Sequence, residues 1–108
     1  MNAQERFDAL VAELASTPGV VPPGAGTGFG SSALKYQRSI FAMLTHDRLV
    51  VKLPKARVDE LVAAGEGARF DANKGTPMRE WLSLADDSAL AWSPLAREAL
   101  DFVSRSKR

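Results

Sequence analysis

Hydrophobic residues near the N-terminus recur at the spacing of an amphipathic helix. Four of them fall at positions i, i+3, i+4 and i+7, which places them on one side of a helix: Phe7, Leu10, Val11 and Leu14. Asn2 precedes this stripe and Glu5 follows Asn2 by three residues, which is the spacing of a capping box. We therefore predict a first helix that begins just after Asn2 and lies on a core.

The segment that follows, residues 16–32, contains three prolines and five glycines and should not form regular structure. Glycine occupies every second position from Gly24 to Gly30, which superficially resembles a phosphate-binding loop. Such loops follow a strand, open a helix, and carry either a Lys before Ser or Thr or the dinucleotide-binding spacing. This one follows a helix and precedes a strand, so we interpret residues 16–32 as a flexible connection.

From Ala33 the pattern changes to short apolar runs with brief polar interruptions. The runs cover residues 33–37, 39–44 and 48–53, and the breaks between them are short enough for tight turns. This arrangement predicts an antiparallel meander of three strands.

Alternation within the strands predicts which side chains share a face. The middle strand should be apolar on both faces. One face should carry Ile40, Ala42 and Leu44, and the other should carry Phe41 and Met43. The third strand should direct Leu49, Val51 and Leu53 to the core. Its opposite face should be exposed to water and consists of Arg48, Val50 and Lys52.

The remaining chain predicts two helices with strand-forming sequence between them. Pro54 marks the first turn of a second helix and Gly65 its end, with a buried side made of Val58, Leu61 and Val62. A short strand could form at residues 68–70, and alternation predicts another over residues 78–84. Ser93 and Pro94 form a cap and first-turn pair for a last helix, whose apolar stripe is Leu95, Ala96, Ala99, Leu100 and Val103.

The predicted element order is α-β-β-β-α-(β)-β-α. Because the strands are grouped by tight turns, the order favours an α+β fold, an antiparallel meander sheet of four to five strands covered by helices. The length of 108 residues fits a single domain spanning residues 1–108.

Composition narrows the classes of function. A formal charge of +1 gives no global attraction to nucleic acid or anionic lipid. The absence of cysteine excludes disulfides, thiolate nucleophiles and cysteine-ligated metals. The N-terminus lacks a secretory h-region, and the longest apolar run, residues 40–44, is far too short to span a membrane. We expect a cytoplasmic protein with no membrane contact.

Candidate catalytic residues are few. His46 is the only histidine and has Asp47 beside it, but no nucleophile accompanies them, so we interpret His46 as a surface-turn residue. Asp86 and Asp87 are adjacent acids ahead of a helix, where they are expected to face water or favour its N-terminus. We predict no catalytic, cofactor-binding or metal-binding residues, no cofactor, and no enzymatic activity.

Charge is unevenly distributed along the chain. Residues 35–57 carry six basic residues and one acidic residue, a balance of +5, whereas residues 80–101 carry five acids and one base, a balance of −4. The opposite balances permit a homodimer. Candidate contacts to nucleic acid or to a protein partner are Lys35, Arg38, Arg48, Lys52, Lys55 and Arg57. The alternative interpretation is that these charges are solvated and protect sheet edges from aggregation.

Four segments of the sequence resemble a known family. They are "FGSSALKYQRSIFAML", "DRLVVKLP", "VDELVAAGEGARFDANKGTPMREWLSL" and "LAREALDFV", and they cover nearly all of residues 29–103. In the order of its elements and in the sequence of these segments, the chain resembles the TfoX N-terminal domain family, named for the TfoX/Sxy regulators of natural competence. Matching positions include Phe29, Gly30, residues 49–54, Pro77, Met78 and Trp81. Ser31 and Arg38 stand where the family pattern has glycine, so the first hairpin could differ in turn type.

The resemblance implies an α+β fold with a helix-covered sheet and no known catalytic residues. It also implies that Gly75 and Pro77 make a turn and that Met78 and Trp81 pack into the core. We therefore expect a stand-alone, non-enzymatic regulatory or protein-interaction module, whose partner is another protein or a second copy. One alternative is a nucleic-acid-binding module of the YjbR/MmcQ type with a basic sheet face. Another is a small-molecule-binding domain.

Overall fold

The computed structural model describes residues 2–21, 33–37, 39–45, 47–70, 80–85, 88 and 90–106. Its helices are α1 (Ala3–Leu14), α2 (Lys55–Ala63) and α3 (Trp92–Ser106). Its strands are β1 (Val20–Val21), β2 (Ala33–Tyr36), β3 (Ser39–Thr45), β4 (Arg48–Lys52), β5 (Gly67–Arg69) and β6 (Trp81–Leu84). The predicted α+β class is confirmed, with six strands among these residues where four to five were predicted.

The six strands form one antiparallel sheet in the order β1-β2-β3-β4-β6-β5. One face of this sheet holds the core, because buried residues of α1, α2 and α3 belong to a single cluster with the inward residues of β4 and β6, such as Val51 and Leu82. The three helices therefore lie on the same side of the sheet. None of the helices in the described ranges is long and apolar enough to cross a membrane.

Helix α1 begins as its sequence predicts. The Glu5 backbone N–H donates to Oδ1 of Asn2 at 2.8 Å, and the Asn2 N–H donates to Oε1 of Glu5 at 3.0 Å. This reciprocal pair is the predicted capping box. Phe7, Leu10 and Leu14 are buried and Val11 is half-buried against the core cluster, which confirms the predicted stripe.

Strand β1 lies within residues 16–32, so the prediction that this segment lacks regular structure is wrong for Val20 and Val21. They extend the sheet by pairing with Tyr36 and Lys35. A strand of two residues is too short to produce a periodic pattern, and here it forms because the ladder of β2 accepts it. Residues 22–32, which include the glycine-rich stretch, lie outside the described part of the chain.

Two-residue loops join the paired ends of β2 with β3 and of β3 with β4. Gln37 in the first loop and Asp47 in the second have positive φ angles of 56° and 62°. Positive φ in a two-residue loop is typical of the primed turns that match the twist of a hairpin. The predicted tight turns are confirmed, although the described loop residues are not glycines. Arg38 and His46 lie outside the described residues.

A β-bulge interrupts the alternation of β3. Leu34 pairs with Ala42 and Lys35 pairs with Ile40, which leaves Phe41 as the extra residue of the longer strand. Phe41 and Ala42 are both fully buried in the core cluster. The prediction that Phe41 faces away from Ala42 is wrong, because a bulge breaks the two-residue period.

The predicted inward face of β4 is confirmed, but one residue of its predicted outward face is not exposed to water. Leu49, Val51 and Leu53 are fully buried in the core cluster. Val50 was predicted to face water but is also fully buried. Its ladder partners on either side are Met43 and Ser83.

Helix α2 ends in a Schellman motif. Gly65 has a φ of +80°, its N–H donates to the Val62 carbonyl at 3.1 Å, and the Glu66 N–H donates to the Leu61 carbonyl at 3.0 Å. These are the two bonds of the motif, and the left-handed residue is glycine as the motif prefers. Gly65 is confirmed as the stop of this helix.

Helix α3 buries the predicted stripe, with Leu95, Ala96, Ala99 and Val103 buried and Leu100 half-buried. It begins at Trp92, one residue before the predicted cap Ser93. Trp92 is itself buried, and the Arg6 guanidinium lies 4.2 Å from the centre of its ring.

Strands β5 and β6 confirm the two strands predicted after α2, and their boundaries differ from the predicted ones by one to three residues. Leu82 and Leu84 of β6 are buried in the core cluster. Trp81 is half-buried and outside that cluster, so the prediction that it packs into the core is wrong. Alternation explains the difference, because Trp81 and Leu82 are neighbours in a strand and must point to opposite faces. Gly75, Pro77 and Met78 lie outside the described residues.

Candidate functional site

The side of the sheet away from the helices, called here the outer face, combines apolar and basic side chains. Strand register places its members in the central part of the sheet: Lys35, Ile40, Met43, Arg48, Val50, Lys52, Trp81 and Ser83. No helix of the described chain packs on this side. Ile40, Met43 and Trp81 are half-buried, so part of each side chain is accessible.

Cross-strand neighbours pair basic with apolar residues on the outer face. Lys35 is the ladder partner of Ile40, and Lys52 is the partner of Trp81. The Nζ atom of Lys52 lies 6.0 Å from the centre of the Trp81 ring, at the outer limit of a cation–π contact. The ring thus provides a flat apolar surface with a positive charge beside it.

The structure places five of the six candidate basic residues, and it divides them between two sides of the molecule. Lys35, Arg48 and Lys52 share the outer face, with Arg48 at the β3–β4 hairpin. Lys55 and Arg57 lie on α2, which packs on the core side. Arg38 lies outside the described residues.

The two basic residues on α2 are engaged in ion pairs. Lys55 binds Asp59 at 2.7 Å, and Nε of Arg57 donates to Glu98 of α3 at 3.0 Å. Arg57 also binds Glu60. The hydrogen bond that Arg57 donates to Glu98 raises the pKa of Arg57, which therefore stays charged. The Arg57–Glu98 pair joins the basic segment of the chain to its acidic segment within one molecule.

An open cleft of about 560 Å³ lies on the core side, at the end of the sheet formed by β1 and β2. It is lined by the turn after α1, by the start of the β2–β3 hairpin and by one side of α3. Its lining residues are Thr17, Pro18, Tyr36, Gln37, Arg97, Leu100, Asp101 and Ser104. Sequence reasoning did not identify this site, because these residues come from three segments that carry no recognisable motif.

A polar cluster between α1 and α3 adjoins the cleft. Arg97 donates from Nη2 at 2.7 Å and from Nε at 3.1 Å to the same carboxylate oxygen of Glu13. The Ser93 hydroxyl donates to that oxygen as well. The hydrogen bond from Ser93, followed by that from Arg97, lowers the pKa of Glu13. The carboxylate therefore remains ionised and fixes the position of Arg97.

The part of the chain that the structure describes holds no group of three or more His, Cys, Asp or Glu residues able to bind a metal ion. His46, Asp86 and Asp87 lie outside it.

Comparison of the chain with protein-family models, with curated proteins and with solved structures finds no match.

Proposed function

We propose that this chain is a non-enzymatic protein-interaction module of the TfoX N-terminal type, which binds an acidic partner protein through its outer face. The observation that carries the proposal is the pairing of basic with apolar residues, Lys35 with Ile40 and Lys52 with Trp81, on a sheet face without a described helix. The resemblance of the sequence to the TfoX N-terminal family supports the same function.

The apolar part of the outer face supplies the kind of contact that protein interfaces use. Aromatic residues and methionine are enriched in the centres of interfaces, and Trp81 and Met43 are both half-buried here. Burying the remaining accessible area of these side chains against a partner would release water from apolar surface.

The basic part of the outer face favours a partner with carboxylates. Lys35, Arg48 and Lys52 lie on the same side of three adjacent strands. Complementary charge raises the rate of association and disfavours partners of the same sign. We therefore expect an acidic surface to bind in preference to a neutral or a basic one.

A nucleic-acid-binding function of the YjbR/MmcQ type is the second candidate. It is favoured by one observation, the Lys52 ammonium beside the Trp81 ring, since an aromatic ring flanked by a cation can stack on a base and contact a phosphate.

The experiment compares two double variants that each remove two positive charges. Lys35→Gln/Lys52→Gln changes the outer face, and Lys55→Gln/Arg69→Gln changes basic residues that bind Asp59 on the core side. A photo-crosslinking amino acid at Met43 identifies the partner in cells. We expect a crosslinked protein to be retained by the core-side variant and lost by the outer-face variant.

Two results decide between the candidates. Crosslinking that is equal in both variants would contradict the proposed interface. Duplex or single-stranded DNA titrated at low ionic strength tests the second candidate, which requires affinity that falls steeply with added salt and that is lost in Lys35→Gln/Lys52→Gln.

A further inference from the structure

We propose that the cleft beside α3 binds a small organic carboxylate with a flat apolar body, with Arg97 holding the carboxylate and with Tyr36 and Leu100 supporting the body. This inference concerns the side of the molecule opposite the outer face and does not depend on the proposed function.

The cleft combines parts that are distant in the sequence. Arg97, Leu100 and Ser104 follow one another on one side of α3, at spacings of three and four residues. Tyr36 lines the cleft from the end of β2, and Thr17 lines it from the turn after α1. The resulting volume of about 560 Å³ is within the range of small-molecule sites.

Two of the residues that line the cleft give it an apolar surface. Tyr36 and Leu100 are half-buried and pack against the core cluster, so each has one side in the core and another in the cleft. An aromatic ring or a fused ring system placed on them would bury apolar surface on both its partners. This arrangement favours a ligand with a flat hydrocarbon body over a fully polar one.

The position of Tyr36 is fixed by the neighbouring backbone. Gly19 has a φ of +88°, and a Cβ atom there would lie 2.5 Å from Cε1 of Tyr36, so the ring lies directly against the glycine. The Gln37 N–H donates to the Gly19 carbonyl at 2.7 Å, which ties the hairpin to the turn after α1. A wall held in this way loses little freedom when a ligand binds.

The charged groups of the cleft leave a donor for an anion. Both oxygens of Asp101 are within 3.2 Å of the Arg105 Nε, so this carboxylate is already paired. Arg97 uses only Nε and Nη2 for Glu13, and its side chain is 56% exposed. The remaining nitrogen of the guanidinium, Nη1, can donate to a ligand carboxylate, the geometry for which arginine is well suited.

The experiment is a titration of the full chain with 2-naphthoate, monitored by two-dimensional amide NMR. We expect saturable shifts confined to the cleft, including the amides of Gln37, Leu100 and Ser104. Acetate lacks the apolar body and 2-naphthylmethylamine lacks the anion, so neither should produce saturable shifts at the same concentrations.

Two variants separate the role of Arg97 from a general effect on folding. Arg97→Gln should weaken naphthoate binding about tenfold, the usual loss for one charge-assisted hydrogen bond. Arg69→Gln, which removes an arginine from another surface ion pair, should bind like the wild type. Ser104→Phe should fill the cleft and abolish binding without altering Arg97, while the dispersion of its amide spectrum shows that it folds.

Absence of saturable shifts up to millimolar naphthoate would overturn the proposal, as would equal affinities of the wild type and Arg97→Gln. The outer-face variant Lys35→Gln/Lys52→Gln should bind naphthoate normally, so a failure of one site is distinguishable from a failure of the other.

Discussion

At the scale of single residues, Gly65 shows how one backbone conformation ends an element. Its φ of +80° lies in the left-handed region, and among the described residues no atom beyond Gly65 and its two chain neighbours lies within 4 Å of the position that a Cβ would occupy. A substitution there is therefore affected by the backbone conformation and not by packing.

Replacing Gly65 with alanine should destabilise the protein by about 1 kcal/mol, the cost of the left-handed region for a residue with a Cβ. Asparagine tolerates this region better, so Gly65→Asn should lose less. Urea unfolding followed by circular dichroism measures both free energies. Equal losses for alanine and asparagine would contradict the conformational explanation.

Glu13 should make the free energy of unfolding depend on pH in the acidic range. Its pKa is lowered in the folded protein by the hydrogen bonds from Ser93 and Arg97. Because the folded pKa is below the unfolded one, its contribution is fully present above the unfolded pKa and is lost as the pH falls through the folded pKa.

Glu13→Gln should therefore be less stable than the wild type at pH 7, and the two should approach each other in stability in strong acid. Urea unfolding midpoints of both proteins, measured at neutral pH and at pH values below the ordinary pKa of a glutamate, provide the test. A difference that stays constant over this interval would show that the ionisation of Glu13 does not contribute.

At the scale of elements, the bulge in β3 determines whether Phe41 or Met43 of that strand packs into the core. Phe41 is fully buried in the core cluster, whereas Met43 is half-buried on the outer face.

Phe41→Ala should cost about 3–5 kcal/mol, as expected when a buried aromatic residue leaves a cavity. Met43→Ala should cost markedly less, because much less of the side chain is removed from a packed interior. Chemical denaturation of both variants measures the difference. Similar losses would mean that Phe41 and Met43 share one face of β3 and support the core equally, as simple alternation predicts.

Local sequence signals were sufficient for most elements. The capping box at Asn2, the glycine that ends α2 and the stripe of α3 each depend on residues within one or two turns of the chain, and all three predictions are confirmed. The bulge and the pairing of Val20–Val21 depend on where a neighbouring strand places its hydrogen bonds. Register of this kind is a tertiary property, so a single strand sequence does not contain it.

At the scale of the whole molecule, the two tryptophans report on opposite sides of the sheet. Trp92 belongs to the core cluster, and Trp81 lies on the outer face beside Lys52. The helices and the inward residues of the sheet share one cluster, so we expect both sides to unfold together.

The variants Trp81→Phe and Trp92→Phe each leave one tryptophan. In each variant, the urea midpoint from fluorescence should coincide with that from far-ultraviolet circular dichroism. Separate midpoints in Trp92→Phe, which retains only the outer-face tryptophan, would show that this side of the sheet opens independently.

The candidate sites were harder to predict than the fold. Six basic residues within 35–57 are close in sequence, but the turn into α2 carries Lys55 and Arg57 to the core side, where acidic residues pair with them. The cleft was not predicted at all, because Thr17, Tyr36 and Arg97 are brought together only by the packing of α3 across the sheet. Segment charge and local motif are one-dimensional signals, and both sites depend on three-dimensional placement.

Among the described residues, the two shortest strands lie at the margins of the sheet, with β1 two residues long and β5 three residues long. A margin that offers so few unpaired amide and carbonyl groups is a poor template for the strand of a neighbouring molecule. We therefore expect the folded chain to resist fibril growth in concentrated solution, since the long central strands that could nucleate it are already enclosed on both sides.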